Sequence, residues 1–196
     1  PKRAAKLAQF TDKVLTLLPF EPELMQAAGM DAAFVGHPVV AEPEATTAEI
    51  AGFRAGHGLY DAPVLLLLPG SRMGEVKRLS ERFGAAAQAV LAKRAGMRAE
   101  HQHLFPQDTL FLSPKDADEK RAAFAASDVA LAASGTVSLE LAAAKTPMVI
   151  GYDMAWLSRV IMARMLLIDT VTLVNLVSET RVVPERIGKA CTAESL

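Results

Sequence analysis

The sequence predicts an α/β protein with a Rossmann-like parallel sheet that carries helices on both of its faces. From residue 64 onward, short apolar runs of strand length alternate with longer segments of helical periodicity. This alternation is typical of β–α–β units, in which a helix connects two parallel strands. Two of the runs, at residues 64–68 and 129–133, lead directly into a glycine-containing turn and a helix. Apolar residues make up 51% of the 196 residues, which is enough for a large core.

The first 60 residues contain a smaller set of elements. Segments typical of a helix end, a strand, a helix and a second strand follow one another at residues 1–9, 14–20, 21–28 and 32–35. Gly29 is the predicted end of the second helix. We assign residues 1–40 to a first domain and residues 41–60 to a linker with a short helix, because the latter are less apolar and contain Pro43 and several glycines.

Residues 61–196 form the predicted main domain. Strands are predicted at residues 64–68, 109–112, 129–133, 148–152 and 171–174. Helices are predicted at residues 75–93, 117–126, 136–144 and 155–167. Residues 95–108 do not contain the apolar strand that a doubly wound sheet needs there. Either this domain has lost a strand or residues are absent from the chain.

The composition argues against several classes of protein. A net charge of −1 argues against a nucleic-acid binder that works by neutralising phosphates. The single cysteine, Cys191, precludes an internal disulfide framework and fits a reducing compartment. No apolar run approaches the roughly 18 residues expected of a membrane-spanning helix. The start is basic, has no apolar signal segment and lacks Met, so we expect the chain to begin inside a longer protein.

The turn Ser134-Gly135-Thr136 is a candidate ligand site. It joins a predicted strand to a predicted helix, so free N–H groups of the helix start point into the crevice at the carboxyl edge of the sheet. Glu140 projects from the same helix face one turn later. Amides for a diphosphate and a carboxylate for ribose hydroxyls together suit a nucleotide. The alternative is an ordinary helix cap followed by an exposed glutamate.

A second turn of this kind is formed by residues 69–72. Gly70 permits close approach of the backbone, Ser71 can cap the helix, and Arg72 can bind two phosphate oxygens. The alternative is a glycine turn with a solvated arginine. The Gly-Lys-Ser/Thr ending of a Walker A loop is missing. Two such turns in one sheet favour a dinucleotide-like ligand, which needs donors that converge at one crevice.

Three further features each have more than one interpretation. His37 lies in a turn at the predicted domain junction, where it either donates a hydrogen bond in a cleft or is structural. Asn175 follows a predicted strand and either caps a turn or reaches a ligand. Residues 154–168 are apolar on most helix faces, which fits a core helix, a membrane-facing helix or a subunit contact.

The remaining histidines do not indicate a metal site. His101 and His103 have no third ligand nearby in the sequence, and His57 has no partner. No Ser/His/Asp or Cys/His constellation stands out, and no general base is convincingly positioned. The sequence pattern alone therefore predicts binding more clearly than catalysis.

Four stretches carry a family resemblance, and in order they are FVGHPVV, LLLLPGSRMGEVKRL, ASDVALAASGTVSLELAAAKTPMVIGY and TLVNLV. Together they resemble the lipid-A-disaccharide synthases, bacterial glycosyltransferases of the two-domain GT-B type. The resemblance covers most of residues 10–185. It implies that residues 61–196 are the C-terminal, nucleotide-sugar-binding half of a GT-B fold and that residues 1–40 are a remnant of the N-terminal acceptor domain.

The resemblance also implies roles for the candidate residues. Arg72 and the Ser134-Gly135-Thr136 turn would hold the UDP diphosphate, and Glu140 would bind the ribose. The full implied donor site is Gly70, Ser71, Arg72, Ser134, Gly135, Thr136, Glu140 and Asn175, with His37 and Tyr152 at the cleft.

The implied reaction is transfer of 2,3-diacylglucosamine from UDP-diacylglucosamine to lipid X, with inversion at the anomeric carbon. Its products are lipid A disaccharide 1-phosphate and UDP, and it needs no cofactor and no metal. The implied partners are the two lipid substrates, the cytoplasmic face of the bacterial inner membrane, and a second copy of the chain in a homodimer.

The sequence also departs from the family. Most of the N-terminal half, where the general base is expected, is missing, and residues 95–108 are shorter than the family pattern. We therefore expect these 196 residues alone to bind nucleotide weakly and to turn over nothing. The alternatives are another UDP-GlcNAc-using GT-B enzyme, such as a peptidoglycan GlcNAc transferase or a 2-epimerase, and a nucleotide-binding module without catalysis.

Overall fold

The chain forms two compact units, Pro1–Pro43 and Glu44–Leu196. The computed structural model describes residues 2–93, 109–110, 117–153 and 170–196. Each unit contains its own parallel sheet. The helix expected within the linker belongs to the second unit. The assignment of domains to residues 1–40, 41–60 and 61–196 stays a prediction.

The first unit is a small β–α–β arrangement. In order, its elements are α1 (Lys2–Leu7), β1 (Lys13–Thr16), α2 (Glu21–Gln26), β2 (Asp31–Phe34) and a 3-10 helix (Pro38–Ala41). β1 and β2 are parallel neighbours. The Glu21 carboxylate accepts hydrogen bonds from the N–H groups of Leu17 (3.1 Å) and Leu18 (2.9 Å), which joins the end of β1 to the start of α2. Gly29 follows α2 with φ +90°, a conformation that glycine adopts readily.

The second unit contains a four-stranded sheet. Its helices are α3 (Thr47–Gly56), α4 (Met73–Lys93), α5 (Ala117–Ala125), α6 (Val137–Ala143) and α7 (Leu173–Ser178), with a 3-10 helix at Gly188–Ala190. Its strands are β3 (Leu65–Leu68), β4 (Val129–Ala133), β5 (Met148–Tyr152) and β6 (Glu185–Ile187). The order is β3-β4-β5-β6, and each neighbouring pair is parallel. The predicted parallel sheet is confirmed, and β4 and β5 have the predicted bounds.

Two hydrophobic clusters lie on opposite faces of this sheet. On one face, Phe83 of α4 packs in the same cluster as Leu131 of β4. On the other face, Phe124 of α5 and Leu141 of α6 pack with Ala132, the next residue of β4. Successive strand residues point to opposite faces, so β4 contributes to both clusters. Helices therefore cover both faces, as the sequence predicts.

The strand predicted at residues 171–174 is wrong. Helix α7 begins at Leu173, and Thr172 is the extended residue before it. The N–H groups of Val171 and Thr172 donate to the Glu185 carboxylate and not to a neighbouring strand. The place beside β5 is taken by β6, whose Glu-Arg-Ile sequence lacks the apolar pattern of a buried strand.

Contrary to the sequence interpretation, His57 has a partner. Its Nε2 lies 3.3 Å from Oε1 of Glu119, and its ring packs against Phe53 at 4.6 Å between centroids. His57 directly follows α3, and Glu119 lies on α5. An ion pair between Glu49 of α3 and Arg121 of α5 (3.3 Å) joins these two helices as well. His57 thus helps to hold α3 on α5.

Some predictions fall outside the described residues. They are the helix at residues 155–167, the apolar segment 154–168, the region 95–108 and residues 111–112 of the strand predicted at 109–112. Within the part of the chain that is described, no helix combines the length and apolar character needed to cross a bilayer.

Cys191 is buried in the cluster beneath α4, with 2% of its surface exposed. Burial raises the pKa of its thiol, so the reactive thiolate is depleted as well as inaccessible. We expect disulfide-exchange labelling of the folded chain to be slower than that of the unfolded chain by on the order of 100-fold, equivalent to an opening free energy of about 3 kcal/mol. Because the chain has one cysteine, absorbance of the released thiol reports this site alone. Equal rates with and without denaturant would show that Cys191 is exposed.

Candidate functional site

The two predicted turns lie side by side at one edge of the main sheet. β3 and β4 are adjacent and parallel, and Leu68 pairs with Ala132, so the two strands end within one residue of each other. The turn at residues 69–72 follows β3, and the turn at residues 134–136 follows β4. Neighbouring strands are about 4.8 Å apart, so the two turns border one crevice at the carboxyl edge.

In the turn at residues 69–72, Gly70 and Glu75 together determine the position of the Arg72 side chain. Gly70 has φ +113°, and a Cβ atom built there would lie 2.9 Å from both Cβ and Oε2 of Glu75. Oε1 of Glu75 is 2.9 Å from Nη1 of Arg72. A side chain at position 70 would therefore displace the carboxylate that orients Arg72. Arg72 is 81% exposed, and Ser71 before it is also exposed, so the guanidinium can reach a ligand at this edge.

The turn at residues 134–136 presents backbone hydrogen-bond donors. The Gly135 carbonyl accepts hydrogen bonds from the Ser138 hydroxyl (2.9 Å) and the Ser138 N–H (3.3 Å). The Ser134 hydroxyl donates to the carbonyl of Val171 at 2.9 Å. Among the described residues, the N–H groups of Gly135 and Thr136 donate no hydrogen bond. Amides at the start of a helix attract anions, so this turn is suited to a phosphate group.

Glu140 lies on α6 one turn after Thr136, as the sequence predicts. Its Oε2 forms an ion pair with Nζ of Lys120 on α5, and about a quarter of its side chain is exposed. Lys120 also lies above the ring of Phe124, with Nζ 5.4 Å from the ring centroid. The sequence did not reveal this cation, because the two residues belong to different helices. A ribose ligand of Glu140 would share the carboxylate with Lys120.

Asn175 is completely buried on α7. Its Oδ1 accepts from the N–H of Val183 (3.0 Å), and its Nδ2 donates to the Val183 carbonyl (2.9 Å). Nδ2 also lies 3.4 Å from Oγ1 of Thr170. The amide thus binds the chain just before β6. Its predicted place in the donor pocket stays a prediction.

The two cleft candidates lie in different units. In the first unit, Nδ1 of His37 accepts the N–H of Val39 at 3.2 Å, so the neutral ring carries its proton on Nε2. In the second unit, Tyr152 is the last residue of β5, opposite Ile187 of β6. That His37 and Tyr152 border a cleft stays a prediction.

The structure adds a partly buried ion pair that the sequence pattern does not indicate. Asp153 directly follows β5 and is 5% exposed, and its Oδ2 lies 2.8 Å from Nη1 of Arg82 on α4. Its position after a parallel strand is equivalent to that of Ser134 after β4. The rule that ligands of parallel α/β sheets bind at the carboxyl ends of strands was the available signal for Asp153. Among the described residues, no group of three or more His, Cys, Asp or Glu side chains is arranged for a metal.

The sheet and its two turns define a Rossmann-like α/β protein of the class that forms one half of a GT-B glycosyltransferase. The model of the family described as lipid-A-disaccharide synthetase matches residues 1–196, so the chain belongs to that family.

Several curated relatives support this assignment. The lipid-A-disaccharide synthase of Ruegeria pomeroyi is 55% identical over 215 residues, which cover 100% of this chain and 54% of that protein. The synthase of Rhodospirillum centenum is 41% identical and covers 100% of this chain and 52% of that protein. The synthase of Pseudomonas savastanoi pv. phaseolicola is 39% identical, and the match covers 100% of this chain and 54% of that protein.

The chain spans about half the length of the curated relatives it matches. The alignment with the Ruegeria protein extends over 215 residues, whereas this chain has 196, so the relative contains residues without a counterpart here. That these residues fall within the shortened region 95–108 stays a prediction.

Proposed function

We propose that this chain is the donor-binding part of a lipid-A-disaccharide synthase. The whole protein would transfer 2,3-diacylglucosamine from its UDP donor to lipid X and release UDP. The observation that carries the proposal is the pair of turns beside each other at one sheet edge, in a chain of this family. One turn offers a guanidinium and the other offers backbone amides, a combination that suits a diphosphate.

The diphosphate would lie between the two turns. Gly70 and Ser71 would allow it to approach the backbone, and Arg72 would bind its oxygens as a fork. The N–H groups of Gly135 and Thr136 would face it from the second turn. This arrangement is supported by the exposure of Arg72 and by the absence of other hydrogen bonds from these two amides among the described residues.

The remaining contacts would select the nucleoside and the sugar. Glu140 would accept hydrogen bonds from the ribose hydroxyls, with Lys120 orienting its carboxylate. Asn175 would border the donor pocket from α7, and Ser134 from the end of β4. Tyr152 and His37 would lie at the cleft, where Nε2–H of His37 would be a hydrogen-bond donor.

The chemistry is a single displacement with inversion. An acceptor hydroxyl attacks the anomeric carbon while the bond from that carbon to the phosphate oxygen breaks. Its proton passes to a general base outside this chain, and the bonding electrons leave with UDP. Arg72 and the turn amides would stabilise the negative charge that develops on the leaving diphosphate, so the step needs no metal or other cofactor. The setting would be the cytoplasmic face of the bacterial inner membrane, with the protein as a homodimer.

The first test is the effect of Arg72→Ala on UDP binding, measured by calorimetry. We expect the dissociation constant to rise by roughly 10- to 100-fold, because a charge-assisted bond to phosphate contributes about 1.5–3 kcal/mol. Arg78→Ala is the matched control, since it removes an exposed arginine from α4, the helix that follows the turn, and should leave the affinity unchanged.

Equal affinities of wild type and Arg72→Ala would remove Arg72 from the site. Absence of any UDP binding at millimolar concentration would contradict the proposed donor site. To test the acceptor, the complete polypeptide that contains this chain should form lipid A disaccharide 1-phosphate from UDP-diacylglucosamine and lipid X. Turnover of UDP-GlcNAc instead would assign the chain to one of the alternative GT-B activities.

A further inference from the structure

The segment before α7 is held by one carboxylate oxygen. Oε1 of Glu185 accepts hydrogen bonds from the Thr170 hydroxyl (2.7 Å), the Val171 N–H (3.0 Å) and the Thr172 N–H (2.6 Å). Thr170 and Thr172 are 1% and 0% exposed. Three donors on one oxygen, two of them from the buried Thr170 and Thr172, fix the position of this segment, because a buried donor that loses its acceptor is costly.

The same segment contacts the candidate diphosphate turn. The carbonyl of Val171 and the N–H of Thr172 belong to one planar peptide group, on its opposite sides. The N–H side donates to Glu185, and the carbonyl side accepts from the Ser134 hydroxyl at 2.9 Å. Glu185 and Ser134 therefore clamp the same rigid peptide, and the negative charge of Glu185 strengthens the carbonyl as an acceptor.

This hydrogen bond determines what Ser134 can do. Because its hydroxyl proton is directed to Val171, it does not donate a proton to a phosphate oxygen at the same time. The backbone donors left at the turn are the amides of Gly135 and Thr136, and their direction depends on where Ser134 is anchored. The chain of contacts runs from β6 through the 171–172 peptide to the turn after β4.

We propose that Glu185 is a positioning residue that orients the Ser134-Gly135-Thr136 turn through the peptide group between Val171 and Thr172. The proposal rests on the proposed function, since the turn is taken to bind the UDP diphosphate. It also changes the role of Ser134 from a ligand contact to the anchor of the two amides.

The test compares three substitutions at Glu185 with one at Ser134. Glu185→Gln keeps an acceptor oxygen at the same distance from the backbone but removes the charge. Glu185→Asp keeps the charge but shortens the side chain, and Glu185→Ala removes both the acceptor oxygen and the charge. UDP affinity is measured by calorimetry on the 196-residue chain below its unfolding midpoint. Nuclear magnetic resonance of the Gly135 and Thr136 amides gives a second readout that needs no ligand. Phe83→Leu, in the hydrophobic cluster between α4 and the sheet, is the control for a loss of stability alone.

We expect Glu185→Ala and Glu185→Asp to weaken UDP binding by roughly tenfold and to shift both amide resonances, as expected for a lost charge-assisted bond. Glu185→Gln should stay within about threefold of wild type. Combined with Ser134→Ala, Glu185→Ala should cause no further loss, because both changes break the same connection. Phe83→Leu should lower stability without moving the amide resonances.

Different failures have different meanings. If Glu185→Ala lowers stability but leaves the affinity and the two amide resonances unchanged, the positioning role is overturned. Additive losses with Ser134→Ala would also overturn it. If wild type does not bind UDP, the proposed function fails, and the amide resonances still decide whether Glu185 positions the turn.

Discussion

Replacing Phe83 with Ala should lower the free energy of unfolding of the second unit by about 3–5 kcal/mol. Phe83 is completely buried between α4 and the sheet. A Cβ atom built on Gly151 of β5 would lie 2.6 Å from Cε1 of Phe83, so the ring rests directly on the strand backbone. Removing the ring loses its transfer free energy and leaves a cavity that a parallel sheet cannot readily close. Urea denaturation followed by circular dichroism measures the change.

The matched control for this substitution is Phe10→Ala. Phe10 is 78% exposed in the first unit, so its loss should change stability by no more than about 0.5 kcal/mol. A second check uses Gly151→Ala, which should be less destabilising when Phe83 is already Ala, because the clashing ring is gone. Equal costs for Phe83→Ala and Phe10→Ala would contradict the packing described for α4.

Replacing Asn175 with Ala should cost about 2–4 kcal/mol of stability. The change leaves both the N–H and the carbonyl of Val183 without their side-chain partner, and each buried backbone group left unpaired costs about 1–3 kcal/mol. Asn175→Asp should also be destabilising, because it keeps the acceptor but loses the donor and buries a charge. Thermal unfolding followed by circular dichroism measures both variants.

Ser178→Ala is the control for Asn175, on the same helix. Ser178 is exposed, and its hydroxyl donates to the Val174 carbonyl, so its loss should change stability little. If Asn175→Ala were as stable as Ser178→Ala, the buried amide would not be structural. A loss of UDP affinity in a variant of normal stability would instead support the donor-pocket role predicted for Asn175.

Much of the main sheet could be predicted because its signals are local. β4 and β5 have the predicted bounds, since each is a five-residue run of mostly apolar residues between a polar or proline-containing turn and the next helix or loop. The turn at residues 69–72 was predictable for the same reason, because glycine marks the end of a buried strand. The order of strand, turn and helix then indicated which edge of the sheet carries the site.

The errors occur where polar contacts override local preference. Residues 171–174 have the β-branched character of a strand, yet their backbone donors bind the Glu185 carboxylate and a helix begins at Leu173. β6 is short and contains two charged residues, so its sequence does not indicate a strand. Its place in the sheet follows from pairing with β5, which no local pattern reports.

By itself, the sequence determined the parallel α/β class, most of its elements, the two turns and the family resemblance. Each of these features depends on the spacing of apolar residues, the positions of glycines or the order of residues within a short stretch. The tertiary structure alone decided the partners of the site residues: Lys120 for Glu140, Arg82 for Asp153, and the Val171 carbonyl for Ser134. These contacts join residues 20 to 71 positions apart in the chain, and only the packing of helices against the sheet brings such residues within hydrogen-bond distance.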